Sequence, residues 1–237
     1  MYKSINDLIN SVEKLQEVEE VTQVLKLLEQ AGLKQASVAS GWTRGFIAEA
    51  KPSDIDIAYV GDVHYEKAQI ILKDIIRSLG YENKNWDVDG IWNVSMAYKD
   101  VDTVEKNYLI YYVDSIDTVY LRADGKLIDP TGYGFKDALN KILRMNDFTK
   151  NGYNYPNKDI VYLCLEGCRR IAKFGWRPTS ESISLIKSGV PLWNTLSSIE
   201  KGYFLTKKLK AKYNPAEYGS AQKIYSQFGW EFVFDNI

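Results

Sequence analysis

Three features of the sequence predict an α+β protein with a mixed sheet in its first 135 residues and helices in the remainder. An apolar series at helical spacing opens the chain, and a β-branched run bounded by Pro52 and Gly61 follows it. From Lys136 onward the apolar pattern keeps a helical period. A chain of 237 residues is long enough to bury a core and suits a catalytic-sized domain with a smaller partner, divided here as 1–135 and 136–237.

The apolar residues Ile5, Leu8, Ile9, Val12, Leu15, Val21, Val24, Leu25 and Leu28 predict one or two helices over about residues 4–31, stopped at Gly32. A short strand over Ala36 to Ala39 comes next, then a glycine-containing turn and short helix from Ser40 to Ala50, then a strand from Ile55 to Val60. Tyr65 to Leu79 has the alternation of an amphipathic helix and closes at Gly80. Further strands are expected at Ile91 to Tyr98 and Tyr108 to Leu121. Breaks near residues 151–157, at Pro178, at Pro191 and around residues 214–219 divide the helical second part. No internal repeat or low-complexity tract suggests a solenoid or a disordered arm.

With 45% hydrophobic and 26% charged residues the composition is that of an ordinary globular protein, and no apolar run is long enough to cross a bilayer. The first residues carry acidic groups and helical periodicity where a signal peptide needs a basic start and a continuous apolar stretch, so a cytoplasmic location is expected. Cys164 and Cys168 lie four apart on a predicted helix. Two thiols do not make a zinc site, and they read as reduced core residues. His64 is the only histidine, which sets aside Ser/His triads, His-rich metal sites and HExxH proteases. The net charge of −1 conceals a division: up to Phe135 there are 14 Lys+Arg against 22 Asp+Glu, and after it 16 against 9. A basic half beside an acidic one suggests a polyanion docked next to a carboxylate-bearing site, although solvated helix faces give the same tally.

The chemistry centres on Asp54 and Asp56 in SDIDIA. Residues two apart on a strand point to one face, so these carboxylates project together while Ile55 and Ile57 face the core. Two like charges on one face repel, and a Mg²⁺ ion, which takes oxygen ligands and leaves positions for phosphate oxygens, relieves that repulsion. An isolated DxD is also what a solvent-facing strand end looks like. The upstream turn shifts the balance: Ser40 and Gly41 open a short helix after a strand, where backbone N–H groups approach a phosphate, and Arg44 lies one turn in. A phosphate turn, an arginine and a metal-binding carboxylate pair suffice for nucleotidyl transfer.

The segment SGWTRGFIAEAKPSDIDIA resembles the GGxVRDxLLGxxxxDxDxA signature of the tRNA nucleotidyltransferase and bacterial poly(A) polymerase family, with the Arg-to-Asp spacing kept. The resemblance continues in DGKLIDPTGYGFKDALNKILRMND, similar to DGxLIDPFGGxxDLxxxxLR, and in CRRIAKFGWRPTSESISLI, similar to RFAxKLGFxIxxxTxxxI. Together these cover most of residues 36–190 in the family's order. The resemblance implies a head domain with a five-stranded, partly antiparallel sheet and a helical neck that holds the incoming base. It further implies template-independent addition from ATP or CTP to an RNA 3′ end, that of tRNA above all, with a two-metal Mg²⁺ site. Asp54 and Asp56 inherit the metal role, and Ser40, Gly41 and Arg44 the phosphate role. Arg169 matches an arginine of the neck helix, where a guanidinium contacts phosphate or base.

Several positions depart from the pattern. The first Gly of GGxVRD is Ser40 and its Asp is Gly45. The RRDxTINAMAY stretch corresponds to YYVDSIDTVYL, so both arginines are tyrosines and the Asp is Val113, with Asp114 beside it. The base-templating EDxxR falls on DIVYL, Asp159 to Leu163, which lacks the arginine. Asp89, in WDVDGIWNV with Asp87, is a candidate third carboxylate, although Asp-Gly is equally an ordinary turn. Lys201, Lys207, Lys208, Lys210 and Lys212 alternate with Tyr203, Phe204 and Tyr213 in a manner suited to an RNA end, or to an amphipathic helix burying its rings. Two further readings stay open: a nucleotidyltransferase acting on a protein or small molecule, and a binding module without catalysis.

Overall fold

The computed structural model describes residues 2–50, 54–82, 92–98, 103–150, 152–210 and 212–234, with backbone alone for 92–98 and for Lys207, Lys208 and Lys210. The chain divides into two compact units, Met1–Asn140 and Lys141–Ile237.

In the first unit the opening apolar series forms two helices, α1 (Ile5–Val12) and α2 (Gln16–Gln30). Ser4 caps α1, its Oγ accepting from the Asp7 N–H at 3.1 Å. The buried face of α2 is Val18, Val21, Val24, Leu25 and Leu28, the spacing that the sequence displays. Then come β1 (Lys34–Val38), α3 (Gly41–Ile47), β2 (Ile55–Val60), α4 (Tyr65–Ser78), β3 (Trp92–Tyr98), α5 (Val104–Tyr111), β4 (Tyr120–Arg122), β5 (Leu127–Ile128) and α6 (Gly134–Asn140). The five strands form one sheet in the order β3-β2-β1-β4-β5. Its β2–β3 pair is parallel and the other pairs are antiparallel, so the sheet is mixed.

The strand expected from Tyr108 to Leu121 is a correction. Thr103 caps a helix there, α5, and only Tyr120 and Leu121 of that run enter a strand. Tyr108 and Tyr112 of that run are spaced at i, i+4 and, with Val104 before them, lie on one helix face. They pack with Ala39, Ala58, Val60 and Tyr120 in a core cluster. Asp114 then turns the chain, its Oδ1 accepting from the N–H groups of Ile116 and Asp117 at 3.0 and 2.9 Å.

The second unit holds α7 (Asn157–Phe174), α8 (Ser180–Ser188), α9 (Ser198–Tyr203) and α10 (Tyr218–Ser226). A two-stranded parallel pair, β6 (Ile142–Leu143) with β7 (Arg177–Pro178), is too short to have left a periodic signal. The helix expected through Lys201 to Lys212 ends as α9 at Tyr203 and passes into a π-helical stretch, Phe204–Lys210. Cys164 and Cys168 are buried thiols on α7, and burial pushes the Cys164 thiol up to about 12 and that of Cys168 well above its ordinary value. Packing around them is close, since a Cβ on Gly189 would come within 2.6 Å of the Cys164 Sγ.

Candidate active site

Strand alternation positions the carboxylates. Ile55 and Ile57 are fully buried, whereas Asp54 is exposed at the strand's start and Asp56 is half-buried. Among the described residues no group of three or more His, Cys, Asp or Glu side chains is placed to hold a metal. Asp87 and Asp89 lie outside the described residues. What β2 offers is a pair of oxygen donors two apart, which fits Mg²⁺, an ion commonly held by one or two carboxylates together with substrate phosphates.

Sheet register brings two further segments to the same end of the sheet. Val38 pairs with Ile57 on one side and with Leu121 on the other. The turn after β1, at Ser40 and Gly41, therefore emerges where Asp54 and Asp56 flank the first residue of β2 and where the chain enters β4 from Asp114 to Val119. Ser40 has φ 61° and ψ −129°, a conformation that glycine adopts far more readily. That turn is pinned on three sides. The Ser40 N–H donates to the Asp117 carbonyl at 3.0 Å, the Thr43 Oγ1 donates to the Val119 carbonyl at 2.9 Å, and the Arg44 guanidinium forms an ion pair with the Asp117 carboxylate. Arg44 and Asp117 are both buried. The loop itself is anchored where Ser115 donates to Asp137 at 2.7 Å and where Gly134 leaves no room for a Cβ, which would stand 2.5 Å from the Ser115 carbonyl oxygen.

Ser40, Gly41, Arg44 and Asp114 thus converge in the first unit. Asp117, which joins them, is the residue that sequence reasoning missed. Its only signal was an acidic side chain at a position where the resembled pattern carries the Asn of TINAMAY. The Asp117 carboxylate ties the Arg44 guanidinium to the Asp114–Val119 loop, so that the pair holds the turn. Gly41, Trp42 and Thr43 begin α3, where N–H groups have no intrahelical acceptor.

Arg169 belongs to the second unit. Its Nε donates to Glu166 at 2.7 Å, and Glu166 is buried, so the carboxylate that stands in place of a second arginine fixes the first. Lys201 lies over the Trp193 ring at 5.9 Å from its centroid. The side chains of Lys207 and Lys208 lie outside those described.

No family model matches the chain, and no curated protein does. Solved structures do. A CCA-adding enzyme in complex with CTP superposes with TM-score 0.64 at 16% identity, covering 96% of this chain and 54% of that one. The Thermotoga maritima CCA-adding enzyme complexed with tRNA_CCA gives 0.63 at 17%, with 96% and 54% covered. A tRNA-processing enzyme in an apo form gives 0.66 at 16%, with 93% and 59% covered. The chain thus spans a little over half the length of these structures, and at such identities the likeness is one of fold.

Proposed function

We propose that this chain is a Mg²⁺-dependent nucleotidyltransferase that adds nucleotides from a nucleoside triphosphate, ATP or CTP, to an RNA 3′ end, with tRNA as the leading acceptor. One observation carries the reading: Asp54 and Asp56 flank Ile55, the first residue of β2, at the end of the sheet where the Ser40–Arg44 turn and the Asp114–Val119 loop also lie. The fold's likeness to enzymes solved with CTP, ATP and tRNA_CCA supports it. In this reading residues 1–135 are the catalytic part, residues 136–237 the RNA-facing part, and the protein works in the cytoplasm.

The reaction joins the RNA 3′-hydroxyl oxygen to the α-phosphorus, breaks the bond to the β-phosphate bridging oxygen, and releases pyrophosphate and the hydroxyl proton. Asp54 and Asp56 would hold the metal, with Asp89 as a candidate third carboxylate. Mg²⁺, when bound there, supplies positive charge to the triphosphate and acidifies the hydroxyl. The protein's own part is positioning. Backbone N–H groups at Gly41 receive phosphate oxygens, and Arg44 and Asp114 keep that turn and its loop in register. Arg169 contributes a guanidinium to phosphate or base, and Lys201, Lys207 and Lys208 line the RNA backbone.

A second reading changes the acceptor. Leu163 stands where the templating arginine of the resembled pattern would be, and Tyr111 and Tyr112 replace its paired arginines, so the contacts by which that pattern selects the incoming base and holds its ribose and triphosphate are missing. Pyrophosphate release with each nucleoside triphosphate, with and without ribonuclease treatment of added total RNA, separates the two. The proposed function expects release that needs RNA; release indifferent to ribonuclease assigns a protein or small-molecule acceptor; no release with any triphosphate contradicts both.

A further inference from the structure

We infer that a cleft between the first turn of α7 and α9 receives an unpaired nucleobase of the RNA acceptor, an inference that rests on the RNA-directed reading above. The cleft encloses about 620 Å³ and is lined by Lys158, Asp159 and Tyr162 from α7 and by Ile199, Tyr203 and Phe204 from the α9 region. Its size is that of a small-molecule site.

The lining selects a flat, hydrogen-bonding ring. Tyr162 and Phe204 lie near-parallel, 17° apart with centroids at 6.5 Å, and Tyr203 meets Phe204 edge-on at 5.9 Å. Tyr203 is 53% and Ile199 86% exposed, so apolar surface stands open to an occupant. In the same lining the Asp159 carboxylate has no hydrogen bond or ion pair among the described residues. Glu200, by contrast, is engaged by the capping box with Ser197. A purely aliphatic group seated there would bury that carboxylate without a donor, which is costly. A base supplies both a π-face for the tyrosines and an amino group for the carboxylate. The ribose-phosphate chain meets Lys158 in a unit whose described limits, Lys141–Ile237, carry 15 Lys+Arg against 8 Asp+Glu.

Two features set the cleft apart from a copy of the EDxxR template. The templating Asp and Arg of that pattern fall on Ile160 and Leu163, whereas the cleft uses Asp159 and Tyr162, one residue back and so about 100° round the helix. The far wall, moreover, is built at the junction of α9 with the π-helical stretch beginning at Phe204. Such a distortion of the hydrogen-bond ladder is frequent at functional sites. An amino group on the base is what Asp159 recognises, so adenine, cytosine and guanine fit and uracil does not.

Fluorescence anisotropy of labelled A12, C12 and U12 oligoribonucleotides with the full chain tests this at fixed salt, alongside Tyr203→Ala and Asp159→Ala and a parallel assay of nucleotide incorporation. The expected result is A12 and C12 binding tighter than U12, a loss of about tenfold for A12 in Tyr203→Ala, and no base preference in Asp159→Ala. Equilibrium dialysis of ATP is expected to be unchanged in Tyr203→Ala. Wild-type incorporation with RNA affinity unaltered in both variants overturns the cleft and leaves the enzymatic reading standing. Loss of ATP rather than RNA binding, or a change in sedimentation without a change in RNA affinity, overturns it in favour of a triphosphate site or a second copy of the chain. Absence of both RNA binding and incorporation overturns both, whereas RNA binding sensitive to Tyr203 without incorporation supports the cleft alone.

Discussion

Asp117 and Arg44 bury opposite charges against each other at the turn that carries the candidate phosphate site. Removing one partner of such a pair leaves the other desolvated and uncompensated, so Asp117→Ala is expected to lose about 3–5 kcal/mol of stability in denaturant unfolding. Asp117→Asn, which keeps the shape and an acceptor oxygen, should lose less. At this scale the sequence was legible where chemistry and periodicity coincide. Asp54 and Asp56 were readable because β2 alternates, with Ile55 and Ile57 buried between and beyond them. Asp117 was not readable, because its partner lies 73 positions away and no local pattern links them. Arg169 was assigned to phosphate or base from its match to an arginine of the resembled neck helix. Its tie to Glu166 depends on the burial of that carboxylate, which a sequence does not display.

The turn between β1 and α3 holds Ser40 at φ 61° and ψ −129°, which costs a side-chain-bearing residue what glycine does not lose. Ser40→Gly is therefore expected to stabilise the protein by about 1 kcal/mol, seen as a higher denaturant midpoint; a lower midpoint would contradict the strain. Helix starts and a turn in the second unit set a pH dependence. Hydrogen bonds from Ser197 hold Glu200 below its ordinary value, Lys150 and Thr149 hold Asp147 below its own, and donors in the 179–181 turn do so for Glu181. Carboxylates depressed in the folded state bind fewer protons than in the unfolded chain, so their contribution is present above about pH 4.5 and is lost as pH falls through their folded values. Urea midpoints should be flat from pH 7 to 5 and fall toward pH 3. Long amphipathic elements such as α2 and α4 were legible because their periodicity repeats. The run Tyr108–Leu121 misled because tyrosine and β-branched residues favour strands locally, while the i, i+4 packing of Tyr108 and Tyr112 on the sheet decides for a helix. The two-residue strands β6 and β7 are fixed only by tertiary pairing.

At the scale of the molecule, an acidic sheet-bearing unit and a basic helical unit share one chain, and the fold resembles that of solved structures of which it covers 54% and 59%. The break at Asn140–Lys141 falls inside the segment from α6 to β6, where sequence pattern alone gives no stop. No described helix is long and apolar enough to cross a membrane. The most direct measurement of the central claim is incorporation of α-labelled nucleotides into tRNA trimmed of its CCA end, with Mg²⁺, comparing wild type with Asp54→Ala and Asp56→Ala. Labelling from CTP or ATP by the wild type, abolished in both variants with their melting temperatures little changed, is the predicted result. Equal labelling by the variants, or none by the wild type with any triphosphate, would contradict it.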